Sequence, residues 1–232
     1  GIRDYKVTGS SDVCSSDLAE VSRRMTRVAE LRLACSVESW RNLGFAITTD
    51  HGSSLVHVAG LDLRFDQTPT GDIGWTLVGD STSDDSVDGI DTRWVTETRK
   101  RDAVSNAIDI VAIDHIVIMT GDLERTSRAI VERMGLPRKR VRDAGGGVRQ
   151  GFHRAGDIIL EVVERPDLPT AQPASIWGLV LVVDDIDATV AWLGPDAVGS
   201  PRDAVQPGRR IASLRREVGL GLAVALMTPH VR

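Results

Sequence analysis

Apolar residues fall into two arrangements along this chain, and the order of those arrangements repeats. Ile113 to Met119 and Ile176 to Val183 are nearly continuous β-branched and aliphatic runs, the pattern of strands buried on both faces. Each run is followed by an aspartate, Asp122 or Asp185, where a helix N-cap belongs. Apolar residues then recur at helical spacing: Leu123, Ile130, Val131 and Met134 in one stretch, Ile186, Val190 and Leu193 in the other. Gly135 and Gly194 close these helices, each with a proline close behind. Three shorter strands are predicted after each helix, over 138–142, 148–154 and 157–164 and then over 198–204, 210–216 and 220–227. Ala155-Gly156 and Val218-Gly219 supply the tight turns between the last two strands of each set.

Laid over one another without gaps, the two stretches match Asp122 with Asp185 and Thr126 with Thr189. Arg142-Asp143-Ala144 recurs as Arg202-Asp203-Ala204 after a small loop shift, and Pro166 falls opposite Pro229. This is an internal repeat of one strand–helix–strands unit, over 113–166 and 176–229. A weaker unit precedes it: a short strand at Leu31 to Ala34, a helix from Val37 to Leu43 closed by Gly44, and strands over 45–48, 55–58, 61–65 and 73–78. The reading is therefore a degenerate module over 28–95, a charged linker over 96–108 and the repeated pair over 109–232. Asp80 to Gly89 reads as a polar loop. Residues 1–18 lack apolar periodicity and resemble translated sequencing-adapter sequence, so they are expected to be a non-native or disordered tail.

Composition narrows the functional classes. With 41% hydrophobic and 26% charged residues in 232, the chain can bury an ordinary core. A net charge of -5 argues against nucleic acid as the main partner, because phosphate recognition needs a basic face. No apolar run is long enough to span a bilayer, and two cysteines, Cys14 and Cys35, make no disulfide framework, so a reducing cytoplasm is expected. Only Lys6, Lys100 and Lys139 among the 28 basic residues are lysines, the bias of a high-GC bacterial coding sequence.

Ile113-Asp114-His115-Ile116-Val117-Ile118, the helix ending Met134-Gly135-Leu136, a glycine-rich turn and Ile159-Leu160-Glu161-Val162-Val163 together resemble a βαβββ module of the glyoxalase-like, or vicinal oxygen chelate, superfamily. The resemblance implies an α+β fold in which paired βαβββ modules form a half-open β-barrel cleft, here with an additional degenerate amino-terminal module. It implies a small-molecule ligand in that cleft. Metal enzymes of the superfamily take ligands from the first and last strands of both modules. Carried onto this sequence, those positions are His115 and Glu161 in the first module but Gly178 and Val224 in the second, which bind no metal. The resemblance thus implies a divalent metal (Zn, Ni, Fe or Mn) with an incomplete ligand set, for which His153, Gln150, His57 or Glu30 could supply a third donor.

Other readings stand beside that one. A carboxylate among apolar neighbours, as Glu161 is, has to be satisfied by a metal, by His115 or by an arginine. With its pKa raised by burial, Glu161 could also act as an acid or base. Arg149 and Arg210, on related strands of the two modules, would suit a carboxylate or phosphate if they face the cleft, and otherwise lie on a solvated face. Trp177 could stack on a flat ligand, whereas Trp192, Trp40 and Trp75 read as core. Three functions remain open: a metal-dependent lyase, isomerase or dioxygenase, a metal-free binding protein of the bleomycin-resistance type, or a ligand-free scaffold. The odd number of modules also raises pairing of two chains into a homodimer.

Overall fold

The computed structural model describes residues 26–65, 72–79, 85–98 and 104–230. The expected tail over 1–18, and parts of the expected loop and linker, lie outside the described residues. The chain runs β1 (Arg27–Leu33), α1 (Val37–Asn42), β2 (Ile47–Asp50), β3 (Ser53–Val58), β4 (Leu61–Phe65), β5 (Gly74–Val78), β6 (Ser86–Val87) and β7 (Ile90–Val95) in its first part. There follow β8 (Ile110–Thr120), α2 (Leu123–Met134), β9 (Arg140–Gly145), β10 (Val148–Ala155) and β11 (Ile158–Glu164). The last set is β12 (Ser175–Val183), α3 (Ile186–Leu193), β13 (Arg202–Asp203), β14 (Arg210–Ser213) and β15 (Ala223–Met227), with a short 3-10 turn over Arg216–Val218.

Local chemistry explains the repeated elements. The Asp122 carboxylate accepts from the Arg125 amide and caps α2, and Gly135 ends that helix at φ +66°, where a Cβ would be strained. Asp185 caps α3 in the same way. The β9–β10 turn takes three consecutive positive-φ residues, Gly145, Gly146 and Gly147, so the glycine run is a hairpin connection. β13 is shorter than the pattern predicts. Val198 makes only an isolated bridge to Leu214, and just Arg202 and Asp203 pair with β14.

The second part forms one eight-stranded sheet in the order β13-β14-β15-β12-β8-β11-β10-β9. β8 and β12 run antiparallel at its centre, with Leu179 opposite Ile116, and each is flanked by a parallel last strand, β11 or β15. This is a pseudo-two-fold pairing of two βαβββ halves. One face of the sheet carries the helices, with Leu123, Ile130 and Met134 of α2 buried against it. The opposite face stays concave.

The first part forms a separate seven-stranded sheet, β2-β3-β4-β1-β5-β7-β6. It repeats the same logic: β1 is parallel to β4, antiparallel to β5, and β5 is parallel to β7. The amino-terminal unit therefore goes beyond the expected degenerate module. β5 and β7 supply the two inner strands of a second half that, among the described residues, has no helix. β7 itself was not foreseen from the sequence. Because β1 already has an in-chain partner in β5, the reason for expecting a second chain to complete an odd module is removed.

The two sheets share one apolar core. Trp40 and Trp75 are fully buried, and the core runs continuously from Leu31 and Trp40 to Ile116, Leu160 and Leu220. Trp40 also reaches across, its Nε1 donating to the Leu220 carbonyl at 3.2 Å. A second tie comes from Asp88, whose carboxylate accepts from Arg125 and Thr126 of α2. Trp192 departs from the core reading: it is 54% exposed and lies across Gly44.

Candidate functional site

His115 comes from β8 and Glu161 from the adjacent parallel β11, where Glu161 stands opposite Val117 and Ile159 opposite His115. Two positions of offset on one face bring their side chains together, His115 Nε2 lying 3.1 Å from Glu161 Oε2. Both are largely buried, at 12% and 13% side-chain exposure. Gln150, on β10, donates from Nε2 to Glu161 Oε1 at 2.7 Å, and its own Oε1 is buried with no protein donor.

Asp114, which the sequence reading passed over, joins this group through a defect in the ladder. The β8–β12 register steps from His115↔Val180 to Ile113↔Leu181, leaving Asp114 as the extra residue of a bulge. A bulge re-aims a side chain that regular alternation would send to the other face. Asp114 Oδ2 consequently lies 2.7 Å from His115 Nδ1, while its Oδ1 is 2.7 Å from Nη1 of the buried Arg209. The result is a line of groups, Arg209–Asp114–His115–Glu161–Gln150. Burial opposes ionisation of Asp114, but hydrogen bonds from His115 and Arg209 outweigh it and hold the carboxyl below its ordinary range. Glu161 behaves oppositely. Burial pushes its pKa up, and the neighbouring His115 and Arg142 only partly offset this. A carboxyl raised in this way can hold or release a proton at the cleft.

The line opens onto a cleft of about 450 Å³ on the concave face. Ile159, Phe152, Ile211 and Met227 give it apolar walls, and Arg140, Arg142 and Arg202 stand along it. Of the residues singled out from the sequence, the structure gathers His115, Glu161 and Gln150 at this cleft. Arg149 lies elsewhere, bound to Glu164 and Glu124, and Arg210 pairs with Asp187 at the surface. His153 is buried on the helix side between the Leu136 carbonyl and Ser127 Oγ. Trp177 occupies a bulge of β12, 51% exposed, and does not line the cleft. The residues missed were Asp114, hidden by its bulge, and Arg140, Arg142 and Arg202. The last two had a signal: the repeated Arg-Asp-Ala triplets.

The donors do not make a metal centre. The pseudo-two-fold places Gly178 opposite in role to His115, and Ala225, rather than Val224, in the position of Glu161, since Ala225 faces Val180 as Glu161 faces Val117. Glycine and alanine offer no ligand. Of the other candidate donors, His57 is held by Asp62 and Glu30 by Arg64 in the other sheet, and only the neutral amide of Gln150 reaches the pair. Among the described residues no group of three or more His, Cys, Asp or Glu side chains is arranged to hold a metal ion. Both ring nitrogens of His115 face carboxylates, and Arg142 adds a positive field that disfavours a cation.

A folded-state carboxyl pKa above its unfolded value adds stability that is full below the unfolded value and vanishes as pH rises through the folded one. Glu161 therefore costs stability on the alkaline side. Glu161→Gln is expected to melt higher than the parent at about pH 8 and to gain nothing at about pH 4. Calorimetry at the two pH values checks this, and a gain independent of pH would contradict it.

Paired βαβββ halves around a concave cleft define a glyoxalase-like fold. In agreement, residues 112–203 match the model of the Glyoxalase/Bleomycin resistance protein/Dioxygenase superfamily. A triple mutant of 4-hydroxymandelate synthase from Streptomyces coelicolor is similar over 89% of this chain and 93% of its own, with TM-score 0.63 and 14% identity. A xylose isomerase-like TIM barrel/4-hydroxyphenylpyruvate dioxygenase fusion protein gives TM-score 0.64 at 11% identity, over 89% of this chain and 49% of its own. Methylmalonyl-CoA epimerase from Mycobacterium tuberculosis matches 55% of this chain and 94% of its own at 16% identity and TM-score 0.46. Comparison with curated protein sequences gives no match. No helix among the described residues is long and apolar enough to cross a membrane.

Proposed function

We propose that the carboxy-terminal domain binds a small amphipathic organic molecule in its concave cleft without a metal, anchoring the polar end on Glu161, His115 and Gln150. The observation that carries this reading is the cleft of about 450 Å³, within the usual range for ligand sites, with apolar walls and one convergent polar group at its side. Half a metal set supports binding or proton chemistry over metal catalysis. Superfamily membership alone does not choose a reaction, because one fold hosts many.

The test is a thermal-shift screen in the presence of a chelator, using aromatic carboxylic acids and their neutral amides. A binder at about a hundred times its Kd adds roughly 2.7 kcal/mol of stability. Ala204→Trp, which places bulk in the cleft from a half-buried position on its rim, is expected to abolish the shift. Stabilisation that appears only after a divalent ion is added would sink the reading, as would stabilisation that persists in Ala204→Trp.

A further inference from the structure

Most arginines of the carboxy-terminal domain with a carboxylate nearby are bound to it. Arg125 meets Asp88, Arg138 meets Glu124, Arg149 meets Glu164, Arg165 meets Asp167, Arg209 meets Asp114 and Arg210 meets Asp187, all within 3.1 Å. Arg140, Arg142 and Arg202 form no ion pair among the described residues, and all three line one cleft.

Their placement is not random. Arg142 stands opposite Gln150 on β10, and Gln150 faces Val163 of β11. Arg202 stands opposite Ile211 on β14, and Ile211 faces Met227 of β15. Val163 and Met227 are equivalent under the pseudo-two-fold, each two residues past Glu161 or Ala225, so Arg142 and Arg202 occupy the same position on the two outer edges of the sheet. The repeated Arg-Asp-Ala triplets therefore put one guanidinium on each lip of the cleft. Arg140 adds a third on the Arg142 side, its Cζ 4.4 Å from the centre of the Phe152 ring, a cation–π contact that holds it against the cleft wall.

The carboxylates along the same cleft are otherwise engaged. Asp114 is neutralised by Arg209, Glu161 is bound by His115 and Gln150, and Asp203 stands opposite Arg210 across the β13–β14 rung, in its field though not bonded to it. That leaves a positive excess aimed at an apolar hollow, the arrangement that recognises a carboxylate, sulfonate or phosphate on an apolar body.

Resting on the cleft being a ligand site, we infer that this site selects organic anions, and that Arg142 and Arg202, one from each lip, determine that selectivity with Arg140 in support. The test uses two fluorescent probes that share one ring system: 8-anilinonaphthalene-1-sulfonate, an anion, and N-phenyl-1-naphthylamine, which lacks the sulfonate. The protein, its Arg142→Gln/Arg202→Gln variant and Ala204→Trp are titrated with each. Both arginines reach solvent and make no ion pair, so the double variant is expected to keep the parent melting temperature. The expected result is an affinity for the anionic probe at least about tenfold weaker in the double variant, with the neutral probe changed less than about twofold. Raising salt from about 0.05 to about 0.5 M should weaken the anionic probe on the parent and much less on the double variant. Equal loss of both probes, or no loss of the anionic one, overturns the anion inference while leaving the cleft standing. Undiminished binding of both probes to Ala204→Trp, or binding of neither to the parent, overturns the cleft reading and this inference with it.

Discussion

Asp114→Asn is expected to cost about 3–5 kcal/mol at neutral pH, because it breaks a buried pair and strands a charge. Arg209 is 1% exposed at its side chain, and its Nη2 already has no protein partner. The Asp114 carboxylate is its counterion at 2.7 Å, and an amide in that place cannot compensate a guanidinium that cannot deprotonate. In a chain of this size such a loss lowers the melting temperature by roughly 10 °C. The deficit should shrink in acid. The folded-state pKa of Asp114 is lowered, so its stabilisation is present above the unfolded value and fades as pH falls through the folded one, where the parent loses it too. Asp114→Asn/Arg209→Met removes both charges and is expected to recover most of the loss, since apolar replacement of a buried pair is often near neutral. Urea melts of the three proteins decide the matter. A single variant as stable as the parent would mean that solvent reaches Arg209.

Trp40→Ala is the second large effect, at about 3–5 kcal/mol. The ring is fully buried, meets Phe45 and Phe65 edge-on at 5.1 and 6.1 Å, and anchors the Leu220 carbonyl in the connection before β15. Trp40→Phe keeps much of the packing and loses that hydrogen bond, so about 1 kcal/mol beyond the repacking cost is expected. Because Cys35 Sγ also lies 3.2 Å from the Leu220 carbonyl, the alanine variant should expose the 219–222 segment. Faster amide hydrogen exchange there than in β8 would show it. Uniform acceleration throughout the molecule would instead mean that Trp40 acts only on global stability.

Much of the carboxy-terminal fold is legible because its signals are local. The β-branched runs of β8 and β12, the capping aspartates Asp122 and Asp185 and the glycines behind α2 and α3 each specify their own element within a few residues. The repeat then fixes the pairing of halves. β7 was lost because Ile90, Thr92 and Trp94 alternate with charged residues and follow a polar stretch that dominates the local pattern. The site was half visible. His115 and Glu161 stand out as polar residues in apolar strands, whereas Arg149 and Arg210 were misleading because strand alternation alone cannot say which face is concave. Their ion pairs with Glu164 and Asp187 hold them away from the cleft.

By itself, then, the sequence determined most elements of the carboxy-terminal domain, the duplication and the two polar positions His115 and Glu161, because hydrophobic period, capping and repetition act over short distances. Tertiary structure decided which polar residues share a hollow. The bulge that turns Asp114 toward His115 exists only in the mismatch between β8 and β12. The opposition of Arg142 and Arg202 exists only once two outer edges, sixty residues apart in the chain, fold onto one cleft.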